Sequence, residues 1–297
     1  MKVINIICES KIIITIDTEV GEKAKSISDG FTKFIEGRIN NEHYGVYKII
    51  EILDSYNFKA EFFVDVYESK VFGEYNFELL CKNIKNSGHG VQLHTHPSYA
   101  YSNEKTNMHQ YSLEEQIKII RDGKNLIKKW IAQEPIAHRA GNYGADNNTL
   151  QALNCNGIRI DSSYFHNHPN CKIQLKTINE PVLLNNVLEI PITVFRRGLE
   201  IFNFQLPLLK NWYKLDINYL SLKHLKKAVA YFNKKLKYII LFLHSSSFIL
   251  RDPPYHRNLK PDTATLEKFN KLLDFIKKMD INCILFREIL SNFQTFF

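Results

Sequence analysis

Glycine and proline are scarce, at 12 and 9 of 297 residues. That excludes a collagen-like or low-complexity chain, and no internal repeat or linker interrupts the sequence. Cysteine offers no scaffold either. Cys8, Cys81, Cys155, Cys171 and Cys283 lie far apart, with no C-x-x-C pair. An odd, scattered set fits reduced thiols in a cytosolic protein better than a disulfide framework. The N-terminal MKVINIICESKIIITIDTEV breaks its apolar runs at Glu9, Ser10 and Lys11, so it lacks the continuous apolar region and small-residue cleavage site of a signal peptide. No run reaches the ~20 apolar residues of a membrane-spanning helix. The expectation is a cytoplasmic protein without a transmembrane segment.

What is present is an ordinary globular balance, 44% hydrophobic and 24% charged, with 20 Phe and 15 Tyr. A chain of this length can build one large core, and α/β barrels often occupy this range as a single unit. The formal net charge is +8, but the lysines are dispersed in pairs such as Lys128-Lys129, Lys226-Lys227, Lys234-Lys235 and Lys277-Lys278, as on solvated helix faces. With no recognised nucleic-acid motif beside them, nucleic acid is not an expected partner. A preference for anionic substrates stays open.

Short runs rich in Ile, Val and Phe alternate with segments of helical period. Strands are expected at Ile12–Ile16, Ala60–Val64, Val91–Leu93, Ile136–Ala137, Ile158–Ile160, Leu188–Ile192, Tyr238–Leu243 and Cys283–Phe286. Helices are expected at Val46–Tyr56, Phe77–Asn86, Leu113–Ala132, Asn147–Asn154, Leu222–Lys235 and Thr263–Met279. Ser112-x-x-Glu115 reads as a capping box, Asp146, Ser221 and Asp262 as N-caps, and Gly88 and Gly157 as helix stops. Apolar strands with helical crossovers mean a parallel sheet. Residues 195–217 fit no period and read as an aromatic-rich insertion over one end of a single domain spanning 1–297.

Six strands run directly into polar residues: Asp17-Thr18-Glu19, Asp65, His94-Thr95-His96, His138-Arg139, Asp161 and His244. In a parallel barrel all strand C-termini open onto one face, where the active site lies. Any one of these residues could be a turn former or a packed histidine; their joint placement is what points to a site. His94 and His96, two apart on an extended chain, project to the same side, and imidazole with carboxylate favours zinc, with cobalt, nickel, manganese or iron also compatible. Asp65 reads as a helix cap or structural partner and His89 as a turn residue, while His138 and His166 receive no role. Tyr99, Tyr101, Phe195, Phe202, Trp212 and Tyr213 suit sugar stacking or packing equally. Ser245–Ser247 lack the glycine-flanked elbow of a serine nucleophile.

The motifs TIDTE (15–19), LHTHP (93–97), HRAGNYG (138–144), DSSY (161–164) and LHS (243–245), in this order, resemble those of the polysaccharide deacetylases with the NodB homology domain, carbohydrate esterase family 4-like, and especially a surface-polysaccharide biosynthesis branch. The resemblance implies a distorted (β/α) barrel of seven or eight parallel strands and a divalent metal held by two His and one acid. It implies Asp17 as catalytic base, Arg139 as the arginine that orients it, His94 as a metal ligand, His244 as catalytic acid, and Asp161 as the acid that hydrogen-bonds His244. Two departures follow. Thr18 stands where commoner members place a metal-binding aspartate, so Glu19 is the substitute ligand. Commoner members also space their metal histidines four apart, which here reaches Ser98, so His96 must supply the second imidazole.

The activity implied is metal-dependent removal of an acetyl group from an N-acetylated sugar, polysaccharide precursor or sugar nucleotide. An O-deacetylase or non-sugar amidase on the same fold, or a sugar-binding protein that has lost catalysis, are the alternatives.

Overall fold

The computed structural model describes residues 9–21, 24–201, 204–252 and 258–293, with the side chains of 197–210 and 292–293 outside that description. Cys8 and Phe202 therefore fall outside it.

The strands of the main sheet and of its adjoining hairpin are β1 (Lys11–Thr18), β2 (Ala60–Asp65), β3 (Gly90–Thr95), β4 (Ala137–Ala140), β5 (Ile160–Asp161), β6 (Val182–Leu184), β7 (Val187–Glu189), β8 (Val194–Ile201), β9 (Phe204–Lys214) and β10 (Tyr238–His244). Eight of them form one sheet in the order β10-β1-β2-β3-β4-β5-β7-β6, parallel except for the antiparallel edge pair β6–β7. The sheet curls into a half-barrel, the distorted barrel expected from the sequence. Across its opening, the Ile240 amide donates to Thr193 Oγ1 (2.8 Å), and Leu215 links Thr193 O (3.0 Å) to the Phe242 amide (2.9 Å).

The α-helices of eight or more residues are α1 (Val46–Ser55), α2 (Glu74–Asn86), α3 (Leu113–Ile131), α4 (Asn147–Cys155), α5 (Leu222–Phe232), α6 (Thr263–Lys278) and α7 (Phe286–Phe293). Local chemistry sets their starts. Ser112 and Glu115 exchange side-chain bonds with each other's backbone amides at the head of α3, and Asp146, Ser221 and Asp262 cap α4, α5 and α6. Each oxygen satisfies an amide that the helix leaves without a partner.

Side-chain alternation along the strands sorts two apolar layers. Ile13, Phe63, Ala137, Ile160, Leu188, Ile240 and Phe242 fill the barrel interior, whereas Ile12, Ile14, Phe62, Val64 and Leu241 pack outward under the helices. This period of two decides which polar residues meet at the strand ends.

Two sequence expectations are corrected. Cys283–Phe286 is not a strand: Cys283 makes one parallel bridge to Ile12, and Phe286 already opens α7. The chain turns there because Phe286 and Ile289 join the interior cluster, while Glu61 accepts a 2.6 Å hydrogen bond from the Phe286 amide. The stretch that fitted no period forms the antiparallel hairpin β8–β9, with a register break between Arg197 and Leu199.

Candidate metal and catalytic site

Asp17 follows Ile13 and Thr15 on the inward face of β1, and Glu19 lies one step further. Glu19 Oε2 is 2.7 Å from His96 Nε2 and 3.3 Å from His94 Nε2. One ligand atom from each of Glu19, His94 and His96 lies within 4.8 Å of the others. His94 Nδ1 is 2.7 Å from the Arg139 carbonyl oxygen, which can only accept, so Nδ1 carries a hydrogen and Nε2 is the ring nitrogen turned toward Glu19. This is how a backbone carbonyl sets the tautomer of a metal-binding histidine. A carboxylate and an imidazole lone pair face to face repel unless a cation or a proton stands between them. Three such donors converging suit a divalent ion.

Burial raises the pKa of Glu19, but the His96 and His94 imidazoles outweigh it and hold the carboxyl well below its usual range. Below the cluster, burial pushes Asp65 up to about 6 against the pull of His96 and His94. Asp65 caps the turn after β2 by accepting from the Tyr67 amide (3.1 Å), as expected for a structural residue.

Arg139 is fully buried and extended beneath Asp17. Its Nη1 donates to Asp17 Oδ1 (2.6 Å), its Nε to Ser162 O (2.9 Å), and its guanidinium stacks 4.2 Å from the Phe63 ring centroid. Burial pushes the Asp17 carboxyl up, yet Arg139, then His94 and His244, hold it below the ordinary value. The unclaimed Oδ2 is 3.9 Å from His94 Nε2.

His244 ends β10 on the inward face of Ile240 and Phe242, with Nε2 3.9 Å from Glu19 Oε1. Burial and the nearby Lys214 charge lower its pKa, against the pull of Glu19, Asp17 and Asp216. A pocket of about 540 Å³ is lined by Glu19, His96, Asn142, Asn218, His244 and Arg251. Asp17, His94 and Arg139 are buried beside it.

Asp161 does not join this group. Ile160 points inward, so Asp161 points outward and meets His138 from the next strand: His138 Nδ1 donates to Asp161 Oδ1 at 2.7 Å. Thr95 Oγ1 holds the other ring nitrogen (3.0 Å), and Glu189 hydrogen-bonds Asp161 from β7. The pairing of Asp161 with His244 implied by the resemblance is thus replaced by Asp161 with His138, because the two expected partners occupy opposite faces of the sheet.

Residues 41–160 match the model of the polysaccharide deacetylase family. That match covers 120 of the 297 residues, and over this segment the chain is similar to the family. Its fold is similar to that of a protein assigned as a polysaccharide deacetylase from Mycobacterium smegmatis, with 16% identity, a TM-score of 0.60, and coverage of 97% of this chain and 91% of that one. A family 4 carbohydrate esterase from Streptomyces lividans, in complex with acetate, matches at 10% identity and TM-score 0.48, over 94% of this chain and 93% of that one. A CE4 family pseudoenzyme from Bacillus anthracis matches at 12% identity and TM-score 0.49, over 93% of this chain and 63% of that one. No curated protein matches the sequence.

Several contacts that shape this site were not anticipated from the sequence. Glu68, fully buried, accepts from the Val20 and Gly21 amides at 2.7 and 2.8 Å and so fixes the chain just after Glu19. Ser245 donates to the Glu19 carbonyl (3.1 Å), a clamp and not a nucleophile. Lys214 Nζ bridges Tyr143 OH (2.8 Å) and Asp216 Oδ2 (2.9 Å) near His244. Gly141 leaves room for His96: a Cβ there would lie 2.4 Å from Nε2. Only the last carried a signal, as a glycine beside a strand end. His89 is no turn residue; its Nδ1 accepts from the Ala60 amide (3.1 Å). Tyr99, 7% exposed, packs on Phe72 in the core.

Proposed function

We propose that the protein is a metal-dependent hydrolase that removes an acetyl group from an N-acetylated sugar, polysaccharide precursor or sugar nucleotide. The observation that carries this reading is the convergence of Glu19, His94 and His96 beside the Asp17–Arg139 pair and His244. Sugar binding alone requires no ionised base locked against a buried arginine.

Glu19, His94 and His96 would hold the ion, a two-histidine, one-carboxylate set that suits zinc. A bound divalent ion supplies Lewis acidity, which acidifies water and polarises an acyl carbonyl. Asp17 takes the water's proton at Oδ2, because Oδ1 is committed to Arg139. Arg139 keeps that carboxylate ionised and aimed, and its own burial makes the pairing rigid. His244 gives the departing nitrogen a proton; its lowered pKa makes the charged ring a ready donor. Asn142 and Tyr143, adjacent at φ 53° and 58°, hold a strained turn over the pocket. Such strain in a bulky residue persists where the surroundings enforce it, as at a preorganised site.

Among the described residues no helix is long and apolar enough to cross a membrane. Cys81, Cys155, Cys171 and Cys283 are free, which supports a reducing compartment and hence synthesis of a surface glycan from cytoplasmic precursors.

The test separates the two carboxylates. Asp17→Asn is expected to retain metal and lose roughly 10²–10⁴ in turnover, the contribution of a positioned base. Glu19→Gln is expected to lose metal, with part of the activity restored by excess ion. Bound metal and acetate release from N-acetylated sugars and sugar nucleotides are measured across a metal titration. Reversed behaviour exchanges the two roles, and unaltered hydrolysis in both variants ends the assignment.

A further inference from the structure

The β8–β9 hairpin contributes to a second cavity, of about 560 Å³, that the chemistry above does not use; Phe165, His168, Arg196, Trp212 and Tyr213 line it. Aromatic rings stand around it edge to face. His166 meets Trp212 at 4.6 Å, and Tyr143 meets Phe165 at 5.1 Å and His168 at 5.0 Å. Such rings offer flat apolar faces of the kind that pack against a pyranose.

Arg196 gives the cavity its charge. It is the cross-strand partner of Trp212, and its guanidinium lies 5.5 Å from the Trp212 ring centroid. Among the described residues, no carboxylate stands within ion-pairing distance of Arg196. Held by a ring face instead of an acid, the guanidinium keeps its fork of donors for a ligand. Arg139, by contrast, is saturated by Asp17, Thr15 and Ser162.

The cavity adjoins the catalytic pocket through consecutive residues. Asn142 lines the catalytic pocket, and Tyr143 packs on Phe165 and His168. The Asn170 side-chain amide donates to the Asn142 carbonyl at 3.4 Å, tying the two walls together.

We propose that this cavity is a second saccharide subsite, which takes an anionic sugar unit joined to the acetamido sugar. Trp212 and Phe165 receive the ring, and Arg196 forms paired hydrogen bonds with a carboxylate or phosphate on it. The assignment deepens the deacetylase reading and rests on it for the occupant of the catalytic pocket.

Three probes test it by calorimetry and by acetate release: a neutral disaccharide of N-acetylglucosamine, one in which the neighbouring unit is glucuronate, and one in which it carries a phosphate monoester. Wild-type protein is expected to bind at least one acidic disaccharide about tenfold or more tightly than the neutral one, the weight of a charge-assisted pair. Arg196→Gln is expected to erase that preference, and Arg196→Lys to restore part of it. Which acidic probe wins identifies the anion. Equal binding of all three by wild type, or a preference that survives Arg196→Gln, overturns the subsite. Binding preference without acetate release from any probe keeps the subsite and removes the deacetylase reading; acetate release without preference does the reverse.

Discussion

Replacing Gly141 with alanine isolates the contribution of one ligand's position. The residue's φ lies outside the left-handed region, so alanine can adopt the same backbone, and the whole effect is steric. The added Cβ would lie 2.4 Å from His96 Nε2, 2.5 Å from Cε1 and 2.6 Å from Cδ2. Ordinary carbon contacts begin near 3.5 Å, so the ring must retreat by about 1 Å. Metal sites hold ligand distances within about ±0.2 Å, and a displacement of that size breaks the contact His96 can offer. We expect metal affinity to fall by at least 10–100-fold, the range seen when support for a metal ligand is lost. The fold itself should lose only about 1–3 kcal/mol, the usual cost of overpacking. Chelator competition with zinc gives the affinity, and a urea melt of metal-free protein gives the stability. Adding His96→Ala to the variant should then change affinity little further. If Gly141→Ala binds zinc within twofold of wild type, His96 is not a ligand in the position the structure gives it.

Two further outcomes follow from buried acids. Burial raises the Glu61 carboxyl to about 7, outweighing its hydrogen bonds from Gln92 and the Phe286 amide. A folded pKa above the unfolded value of 4.5 means that the unfolded chain ionises first, so stability is full at low pH and falls as pH rises from about 4.5 through 7. The loss is roughly 3 kcal/mol. The stability difference between wild type and Glu61→Gln, from urea melts at pH 5 and 8, should change by nearly that amount; parallel curves would contradict it. Asp161→Asn should cost about 1–3 kcal/mol of stability through its bonds to His138 and Ser163, yet change turnover less than tenfold. A hundredfold loss of rate in a variant of normal stability would return Asp161 to the catalytic group.

The strand ends were legible because a parallel sheet fixes where they point. Asp17, Glu19, His94, His96, Arg139 and His244 each stand at or just beyond the end of a short strand, and period two then brings them together. The same rule, applied to Asp161, separates it from His244; register shows this, motif order does not. Helix starts were equally readable, since Ser112, Asp146, Ser221 and Asp262 act on amides three residues away. Contacts between distant segments were not. Glu68 and Val20, or Ser245 and Glu19, are joined only after the sheet forms. The β8–β9 hairpin escaped notice because β9 carries both Pro207 and the extra residues of the register shift between Leu206 and Asn211, which break its alternation. At Cys283–Phe286, an apolar run too short to show its period proved to be a helix start.

The Glu68 carboxyl, by taking the amides of Val20 and Gly21, anchors the far side of Glu19 to the turn after β2. Ser245 anchors the near side to the end of β10. Glu19 is therefore moored at both ends, by strands on either flank of its own. Whatever length or composition the chain takes downstream of Gly21, the strain of that change stops at the mooring. Between this point and α1, Ala24, Phe31, Phe34 and Ile35 are held in the core, so it is the exposed positions of that segment that can change without disturbing Glu19.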